Sequence, residues 1–231
     1  MSQPDVVVCS HVKKTYVVGM REIEVLRDVN LTLCEGEMVS IIGPSGSGKT
    51  TLLNIVSCLE RPSDGKVVIG GYVVNNLNDE ELSAIRRLRI GMIFQEFYLL
   101  PELSALENVE LPMILNGVPE GKRKERAGRL LTSIGLEKRT QYRPGELSKG
   151  DQQRVTIARA LANDPMLILA DEPTGNLDTE TGERIVEILR TMADSKKAVL
   201  MVTHNLEQAF HVSHRVLNLE RGALTKAPRT L

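Results

Sequence analysis

The sequence predicts an α/β fold built on a mostly parallel sheet. Short β-branched runs alternate with longer helical patterns, which is typical of crossover connections between parallel strands. Residues 166–170 and 198–202 are apolar at every position, as expected of strands that are covered on both faces. Within residues 181–192, apolar residues recur at i, i+3, i+4 and i+7, which predicts a helix with one face against that sheet.

Two other regions differ from this pattern. Near the N-terminus, apolar runs at 6–9, 31–33 and 67–69 are separated by turns that contain glycine, which favours an antiparallel β part. Residues 101–145 lack strand-like runs and are rich in Glu, Lys, Arg and Leu. This composition favours a mainly helical insert.

The length of 231 residues suits one α/β domain with a subdomain. We predict a single domain over residues 1–231. Its core comprises about residues 1–95 and 151–231, and its helical part about residues 96–150.

The composition excludes several classes of protein. The net charge of −1 argues against a partner that is a nucleic acid, because nucleic-acid-binding surfaces concentrate Lys and Arg. The three cysteines suit neither a disulfide framework nor a CxxC metal site, so a reducing compartment is expected. The N-terminus lacks a secretory pattern, and no apolar run approaches the roughly 20 residues that cross a bilayer. If a membrane is involved, we expect another chain to span it.

A glycine-rich loop follows the apolar run at 38–42. It fits the pattern GxxxxGK[ST] and consists of Gly43, Pro44, Ser45, Gly46, Ser47, Gly48, Lys49, Thr50 and Thr51. Such a loop wraps a phosphate with its N–H groups, and the helix that begins near Lys49 adds the positive end of its dipole. Lys49 is expected to hold the β- and γ-phosphates, and Thr50 to offer its hydroxyl to Mg²⁺. The loop predicts a P-loop NTPase core, but kinases, GTPases and transport ATPases remain open.

Two adjacent carboxylates, Asp171 and Glu172, follow the apolar run at 166–170. Ligand sites in open α/β sheets lie at such C-terminal strand ends. Asp171 is placed to bind Mg²⁺, and Glu172 to polarise an attacking water, a role that contributes roughly 10²–10⁴ in rate. The alternative is a solvated strand end without chemistry. The sequence contains no NKxD motif, which GTPases use to bind guanine.

With these motifs in place, the chain resembles the ABC ATPase family over nearly its whole length. Tyr16 matches the aromatic residue that stacks on adenine, and Gln95 matches the Q-loop glutamine. Asp178 matches the D-loop aspartate, and His204 matches the switch histidine. The signature LSGGQ is matched by Leu147, Ser148, Lys149, Gly150 and Asp151. Taken alone, Tyr16 could have only a packing role, and His204 could be an ordinary surface histidine. Their order along the chain carries the resemblance.

The resemblance implies an ATPase that uses ATP and Mg²⁺. Glu172, His204 and Gln95 are then catalytic, and Gln95 joins Thr50 and Asp171 around the metal. It also implies a head-to-tail homodimer in which the signature of one copy faces ATP bound by the other. This dimer is expected to drive a separate integral membrane protein. The chain is therefore expected in the cytoplasm, held at the inner face of the cytoplasmic membrane by that partner.

Segments at 16–26, 81–86 and 94–101 look like those of the lipoprotein-releasing and macrolide-efflux class. Export, lipoprotein release and mechanotransmission all remain open within that class. A soluble ABC ATPase outside transport, such as one of iron–sulfur assembly, is the alternative function. A P-loop kinase is a second rival, but it would carry an acceptor lid in place of a signature and a switch histidine.

The signature departs from the family pattern at two positions. Lys149 replaces the first glycine of LSGGQ, and Asp151 replaces its glutamine. Ser148 and Gly150 keep the hydroxyl and backbone N–H groups that face a phosphate. Asp151 follows Ser148 by three residues, which favours a helix that begins here with an arrangement similar to a capping box. The negative charge of Asp151 is, however, unfavourable near a phosphate. We expect Lys149 to offset that charge.

Phe97, Tyr98, Leu99 and Leu100 form an apolar run close after Gln95, in a chain with only 3% aromatic residues. In the family, a short cytoplasmic helix of the membrane protein lies in a groove here, where apolar anchors contribute most of the affinity. We therefore place the partner groove on this run and the neighbouring helical insert. The alternative is a small core between the two parts of the domain.

Overall fold

The computed structural model describes residues 3–228, which form two sheets and seven α-helices. The strands are β1 (Asp5–Val18), β2 (Arg21–Cys34), β3 (Met38–Ile42), β4 (Asp64–Ile69), β5 (Tyr72–Val73), β6 (Ile90–Ile93), β7 (Leu167–Asp171), β8 (Ala198–Val202), β9 (Arg215–Glu220) and β10 (Ala223–Lys226). The helices are α1 (Lys49–Val56), α2 (Asp79–Arg89), α3 (Ala105–Leu115), α4 (Glu120–Ser133), α5 (Lys149–Ala160), α6 (Thr179–Asp194) and α7 (Leu206–Val212). The α/β class predicted from the sequence is confirmed.

The N-terminal strands form an antiparallel sheet in the order β2, β1, β4, β5. In β2, Val29, Leu31 and Leu33 are buried and alternate with exposed residues, because successive side chains of a strand point to opposite faces. β1 and β2 form a long hairpin in which Tyr16 lies opposite Ile23. The predicted antiparallel β part is therefore present.

The second sheet has the order β10, β9, β3, β8, β7, β6, and all of its neighbouring pairs are parallel except β10 with β9. β3 and β8 are buried at every position, as predicted for strands that are covered on both faces. Because parallel strands point the same way, the residues that follow β3, β7 and β8 lie at one edge of the sheet. This carboxyl edge holds the phosphate loop, Glu172 and His204.

Helices cover both faces of the parallel sheet. Leu53 of α1 and Leu169 of β7 belong to a core that also includes the antiparallel sheet. Ile168 of β7 points to the other face and packs in a second core with Ile185 and Leu189 of α6. The helix predicted within residues 181–192 is thus α6.

The helical part has its own core, to which α3, α4 and α5 contribute Val109, Leu131 and Val155. The neighbouring Ile157 of α5 belongs instead to the core beneath α6. α5 therefore joins the helical part to the sheet, and the division near residue 150 stays a prediction. Among the described residues, no helix is both long and apolar enough to cross a membrane.

Candidate functional site

The phosphate loop connects β3 to α1, as the sequence predicts. Gly43 has a φ of 151°, and a Cβ atom there would lie 2.2 Å from the carbonyl oxygen of Leu219, so only glycine fits. Gly48 is the N-cap of α1 with a φ of 104°, and no side chain caps the helix. Its first N–H groups are therefore left to bind an anion. Lys49 Nζ donates to the carbonyls of Gly43 and Pro44 at 2.8 and 3.1 Å.

Most other loop side chains face outward. Pro44, Ser45 and Thr50 are exposed, whereas Ser47 is buried. Within residues 3–228, the Ser47 hydroxyl has no hydrogen-bond partner. Buried polar groups are normally paired, so this hydroxyl fits a loop whose polar groups are completed by a bound phosphate.

Glu172 and His204 meet at the carboxyl edge. Glu172 Oε2 lies 2.9 Å from Nδ1 of His204 and accepts a hydrogen bond from the backbone N–H of His204 at 3.2 Å. Glu172 has a φ of 46°, in the left-handed region that a glutamate seldom adopts. Its own N–H donates to the carbonyl of Val202 at 2.9 Å, which holds this conformation. The structure therefore brings together two of the predicted catalytic residues.

Asp171 precedes Glu172 at the end of β7. Burial and the neighbouring charge of Glu172 raise the pKa of Asp171, whereas Lys49 acts in the opposite direction. Excess negative charge of this kind fits a bound cation. Among the described residues, no group of three or more His, Cys, Asp or Glu side chains could hold a metal. This finding is compatible with Mg²⁺, which is commonly bound by one or two carboxylates together with substrate phosphates and water.

The Q-loop and the D-loop contact each other. The side chain of Gln95 packs on Gly175, where an added Cβ atom would lie 2.9 Å from Gln95 Nε2. Asn176 Nδ2 donates to the backbone oxygen of Gln95 at 3.0 Å and to Glu96 Oε1 at 3.1 Å. Asn176 lies in the run 175–178, which resembles the D-loop, but the sequence does not show that its side chain contacts the Q-loop. Asp178, the predicted D-loop aspartate, is the N-cap of α6.

The signature starts α5. The hydroxyl of Ser148 accepts from the N–H of Asp151 at 3.1 Å, which caps the helix. The carboxylate of Asp151 does not complete a capping box. It is buried and forms ion pairs with Arg139 and Arg154. Our expectation for Lys149 is therefore wrong, because residues two apart on a helix do not face each other and the two arginines neutralise Asp151.

Leu147 and Gly150 frame this helix start. Leu147 is buried in the core of the helical part, and Gly150 is half-buried. A Cβ atom at Gly150 would lie 2.5 Å from Cγ2 of Thr181 on α6. Glycine at this position therefore lets α5 approach α6 closely.

Tyr16 lies on β1, near its hairpin end, and is half-buried. Its hydroxyl donates to Glu60 Oε2 at 2.6 Å. Thr51, the last residue of the phosphate loop, is likewise half-buried. Sequence reasoning missed Glu60, because residues 44 positions apart show no local pattern that links them.

The run 97–100 is divided between surface and core. The side chain of Tyr98 is 66% exposed, and that of Leu100 is also exposed, whereas Leu99 packs against the core of the helical part. Phe97 is half-buried. Leu99 thus belongs to the core of the helical part and not to a small core between the two parts of the domain, and the partner groove on this run stays a prediction. Tyr98 itself has a φ of 44°, in the left-handed region.

A cavity of about 570 Å³ lies between α2, β6, α3 and α5, next to this run. Its apolar wall includes Phe94, Leu111 and Leu115, and its charged side chains are Arg86, Arg87 and Arg159. No carboxylate is among the described residues that line it. None of residues 97–100 lines the cavity, but the run lies next to it, since the ring of Tyr98 packs edge-on against Phe94 with centroids 5.4 Å apart.

Gln153, on α5, is a further residue that sequence reasoning missed. It is fully buried, and its Nε2 donates to the backbone oxygens of Pro173 at 2.6 Å and Phe94 at 3.3 Å. One side chain thus links the signature helix to the segments that follow β6 and β7. The only sequence signal is a polar residue on a helix that also packs apolar side chains.

Comparison with known proteins gives consistent matches. The family model for "ABC transporter" matches residues 26–175. An uncharacterized ABC transporter ATP-binding protein of Thermotoga maritima is 57% identical over 194 residues, which cover 84% of this chain and 83% of that protein. The macrolide export ATP-binding/permease protein MacB of Pectobacterium atrosepticum is 47% identical over 211 residues, which cover 91% of this chain and 32% of that longer protein.

A solved structure is similar over almost the whole chain. It is the dimeric structure of a post-hydrolysis state of the ATP-binding cassette MJ0796 bound to ADP and Pi, and MJ0796 is a protein of Methanocaldococcus jannaschii. The TM-score is 0.86 at 45% sequence identity, and the match covers 97% of this chain and 100% of that one. The fold is thus shared with that protein over almost the whole chain.

Proposed function

This chain belongs to the ABC transporter family of ATP-binding cassettes, and from that premise we propose that it hydrolyses ATP at the carboxyl edge of its parallel sheet. The observation that carries the proposal is the 2.9 Å contact between Glu172 and His204 beside the phosphate loop. A carboxylate and an imidazole in contact at that edge can orient a water molecule toward a bound phosphate.

Each residue of the site has a part in the reaction. Glu172 polarises the attacking water, and His204 holds Glu172 and contacts the γ-phosphate. Lys49 leaves its loop carbonyls to bind the β- and γ-phosphates. The open N-terminus of α1 and the loop N–H groups share the negative charge. Tyr16 stacks on the adenine ring.

Thr50, Asp171 and Gln95 are the residues that we assign to Mg²⁺. The exposed hydroxyl of Thr50 and the charged environment of Asp171 support this assignment. When bound there, Mg²⁺ would supply positive charge that offsets the negative charge of the phosphates. Gln95 would also link this site to the D-loop, because its side chain packs on Gly175 and its backbone oxygen accepts from Asn176.

We assign the signature to the ATP of a second copy. Ser148 and the N–H groups at the start of α5 would then face the γ-phosphate that Lys49 of the other copy binds. Asp178 lies near this surface at the start of α6. The dimeric structures of MJ0796 support a homodimer.

A separate integral membrane protein is the partner that we propose. A short helix of that protein would fill the cavity between α2 and α3, with apolar side chains on Leu111 and Leu115. The position of the chain would then be cytoplasmic, at the inner face of the cytoplasmic membrane. The likeness to MacB supports the lipoprotein-releasing and macrolide-efflux class. Iron–sulfur assembly is not favoured, since these relatives are named as transporter or export proteins.

Replacement of Glu172 tests the proposed reaction. Glu172→Gln removes the base and keeps the phosphate loop, so we expect steady-state ATP hydrolysis to fall by roughly 10²-fold or more while ATP binding is retained. Lys49→Ala is expected to weaken ATP binding itself. Single-turnover hydrolysis and calorimetric titration measure the two effects separately.

The chain offers a matched control for this experiment. Glu187 and His211 form a similar pair at 3.0 Å, between α6 and α7. Glu187→Gln is expected to hydrolyse ATP at the wild-type rate. Equal turnover in the wild type and in Glu172→Gln would show that Glu172 is not the base.

A further inference from the structure

A cluster of polar residues lies beside the ring of Tyr16. The hydroxyl of Tyr16 donates to Glu60 Oε2 at 2.6 Å, and Nζ of Lys14 lies 3.2 Å from the same oxygen. The other carboxylate oxygen, Glu60 Oε1, accepts from Asn54 Nδ2 at 2.9 Å. Glu60 is therefore held by two residues of β1 and by one residue of α1.

These contacts keep Glu60 ionised and Tyr16 protonated. Burial by itself raises the pKa of Glu60, but the hydrogen bonds from Tyr16, Asn54 and Lys14 bring it below its usual value. Burial, followed by the bond to Glu60, raises the pKa of Tyr16. The distance of 2.6 Å is that of a charge-assisted O–H···O⁻ bond, which is stronger than a bond between neutral groups.

Lys14 restricts the ring further. Its ammonium lies over the ring of Tyr16, 4.9 Å from the centroid, in a cation–π contact. The same ammonium donates to the carbonyl of Arg61 at 2.9 Å, which fixes its position. Lys14 therefore covers one face of the ring, so a base that stacks on Tyr16 would use the other face.

Asn54 connects this cluster to the phosphate loop. It belongs to α1, the helix that begins at Lys49. The orientation of the Tyr16 ring and the position of the loop are therefore linked through one carboxylate. A ring that is already fixed loses less conformational freedom when a base stacks on it, so the affinity is higher.

We propose that Glu60 is a positioning residue for the nucleotide: it holds the Tyr16 ring in the orientation that accepts the base, at a set distance from the phosphate loop. Lys14 and Asn54 complete this support. The inference rests on the proposed function of Tyr16 as the stacking residue. Because Glu60 acts through Tyr16, its loss should affect the binding of ATP and not the chemical step.

The binding of ATP and of inorganic triphosphate tests this inference. Glu60→Ala is expected to raise the Kd and the KM for ATP by about three- to tenfold, since part of a base–aromatic stack is lost. The kcat should stay near the wild-type value. Inorganic triphosphate has no base, so its binding should be unchanged. Equal weakening for ATP and triphosphate would place the defect in the phosphate loop and overturn the inference.

A double-mutant cycle tests the hydrogen bond itself. Tyr16→Phe keeps the ring and removes the donor, so it breaks the same contact as Glu60→Ala. The double variant should bind ATP with the same affinity as the single variant that binds ATP less tightly. If the two losses of binding free energy instead add up, the proposed contact is contradicted. Glu24→Ala is the matched control, because Glu24 forms an exposed ion pair with Arg27 on β2. It should bind ATP as the wild type does.

Tyr16→Ala separates this inference from the function on which it rests. If Tyr16→Ala binds ATP as tightly as the wild type, the stacking role fails and the positioning role fails with it. If Tyr16→Ala weakens ATP binding while Glu60→Ala and Tyr16→Phe do not, Tyr16 stacks on the base without help from Glu60. That second result overturns the positioning role alone.

Discussion

Lys149 and Asp151 both depart from the signature pattern, but their structural settings are opposite. Lys149 is exposed, whereas Asp151 is 1% exposed and lies between Arg139 and Arg154. A buried carboxylate is stable only when it is paired. Its charge is thus neutralised inside the helical part and is not directed at a phosphate. Arg139 follows α4, so the pair also attaches the signature to that helix.

Asp151→Ala is expected to lower the free energy of unfolding by about 1–3 kcal/mol, because two arginines lose a buried, charged hydrogen-bond partner but remain partly hydrated. Lys149→Gly, which restores the family residue, should change it by less than about 1 kcal/mol, since the site is exposed and lies in the first turn of α5. Urea unfolding followed by circular dichroism measures both values. An Asp151→Ala protein as stable as the wild type would mean that the ion pairs contribute nothing.

At the scale of elements, the sequence predicts best where a local pattern sets both structure and position. The phosphate loop after β3, the carboxylates at the end of β7 and the histidine after β8 are predicted to lie at one edge of the sheet, because parallel strands point the same way. The sequence could not predict three of the contacts: that of Glu60 with Tyr16, that of Arg139 with Asp151, and those of Gln153 with two loops. Each of these contacts joins residues far apart in sequence, and side-chain direction decides them. Likewise, nothing in the run 97–100 shows that Tyr98 is exposed while Leu99 packs against a core.

In the run after the Q-loop, we expect substitutions of the neighbouring residues Tyr98 and Leu99 to differ in their effect on stability. Tyr98→Asp should leave the melting temperature and isolated ATP hydrolysis near wild type, because Tyr98 is exposed. Leu99→Asp should instead lower the melting temperature, since a carboxylate would be placed against the core of the helical part. Differential scanning fluorimetry compares the two variants. Equal melting temperatures would contradict the division of this run between surface and core.

The cavity between α2 and α3 gives a separate prediction. Leu115→Glu adds a carboxylate to a wall that holds three arginines, at an exposed position. We expect this variant to co-purify poorly with the membrane subunit and to keep its isolated ATP hydrolysis. Leu206→Glu, the same substitution at an exposed leucine of α7, is the control for added charge. Full co-purification of the Leu115→Glu variant would place the docking surface elsewhere.

At the scale of the molecule, the proposed site is incomplete in one chain. The phosphate loop and the signature belong to different parts of the domain, and α5 fixes their relation through Gln153. Two copies related by a two-fold axis would complete two equivalent sites, each with Lys49 of one copy and Ser148 of the other on a single γ-phosphate. ATP then contributes binding energy to the dimer that ADP cannot, because ADP lacks the shared phosphate.

We therefore expect the Glu172→Gln protein, which binds ATP without consuming it, to be a dimer with MgATP and a monomer with MgADP. Adding Ser148→Arg should abolish the dimer, because the arginine would fill the space beside the shared phosphate, while ATP binding by the monomer is kept. Ser133→Arg, at an exposed serine at the end of α4, is the matched control and should dimerise normally. Light scattering gives the mass of each species. A monomer at saturating MgATP, or a dimer that forms equally well with MgADP, would contradict a γ-phosphate shared between Lys49 and Ser148.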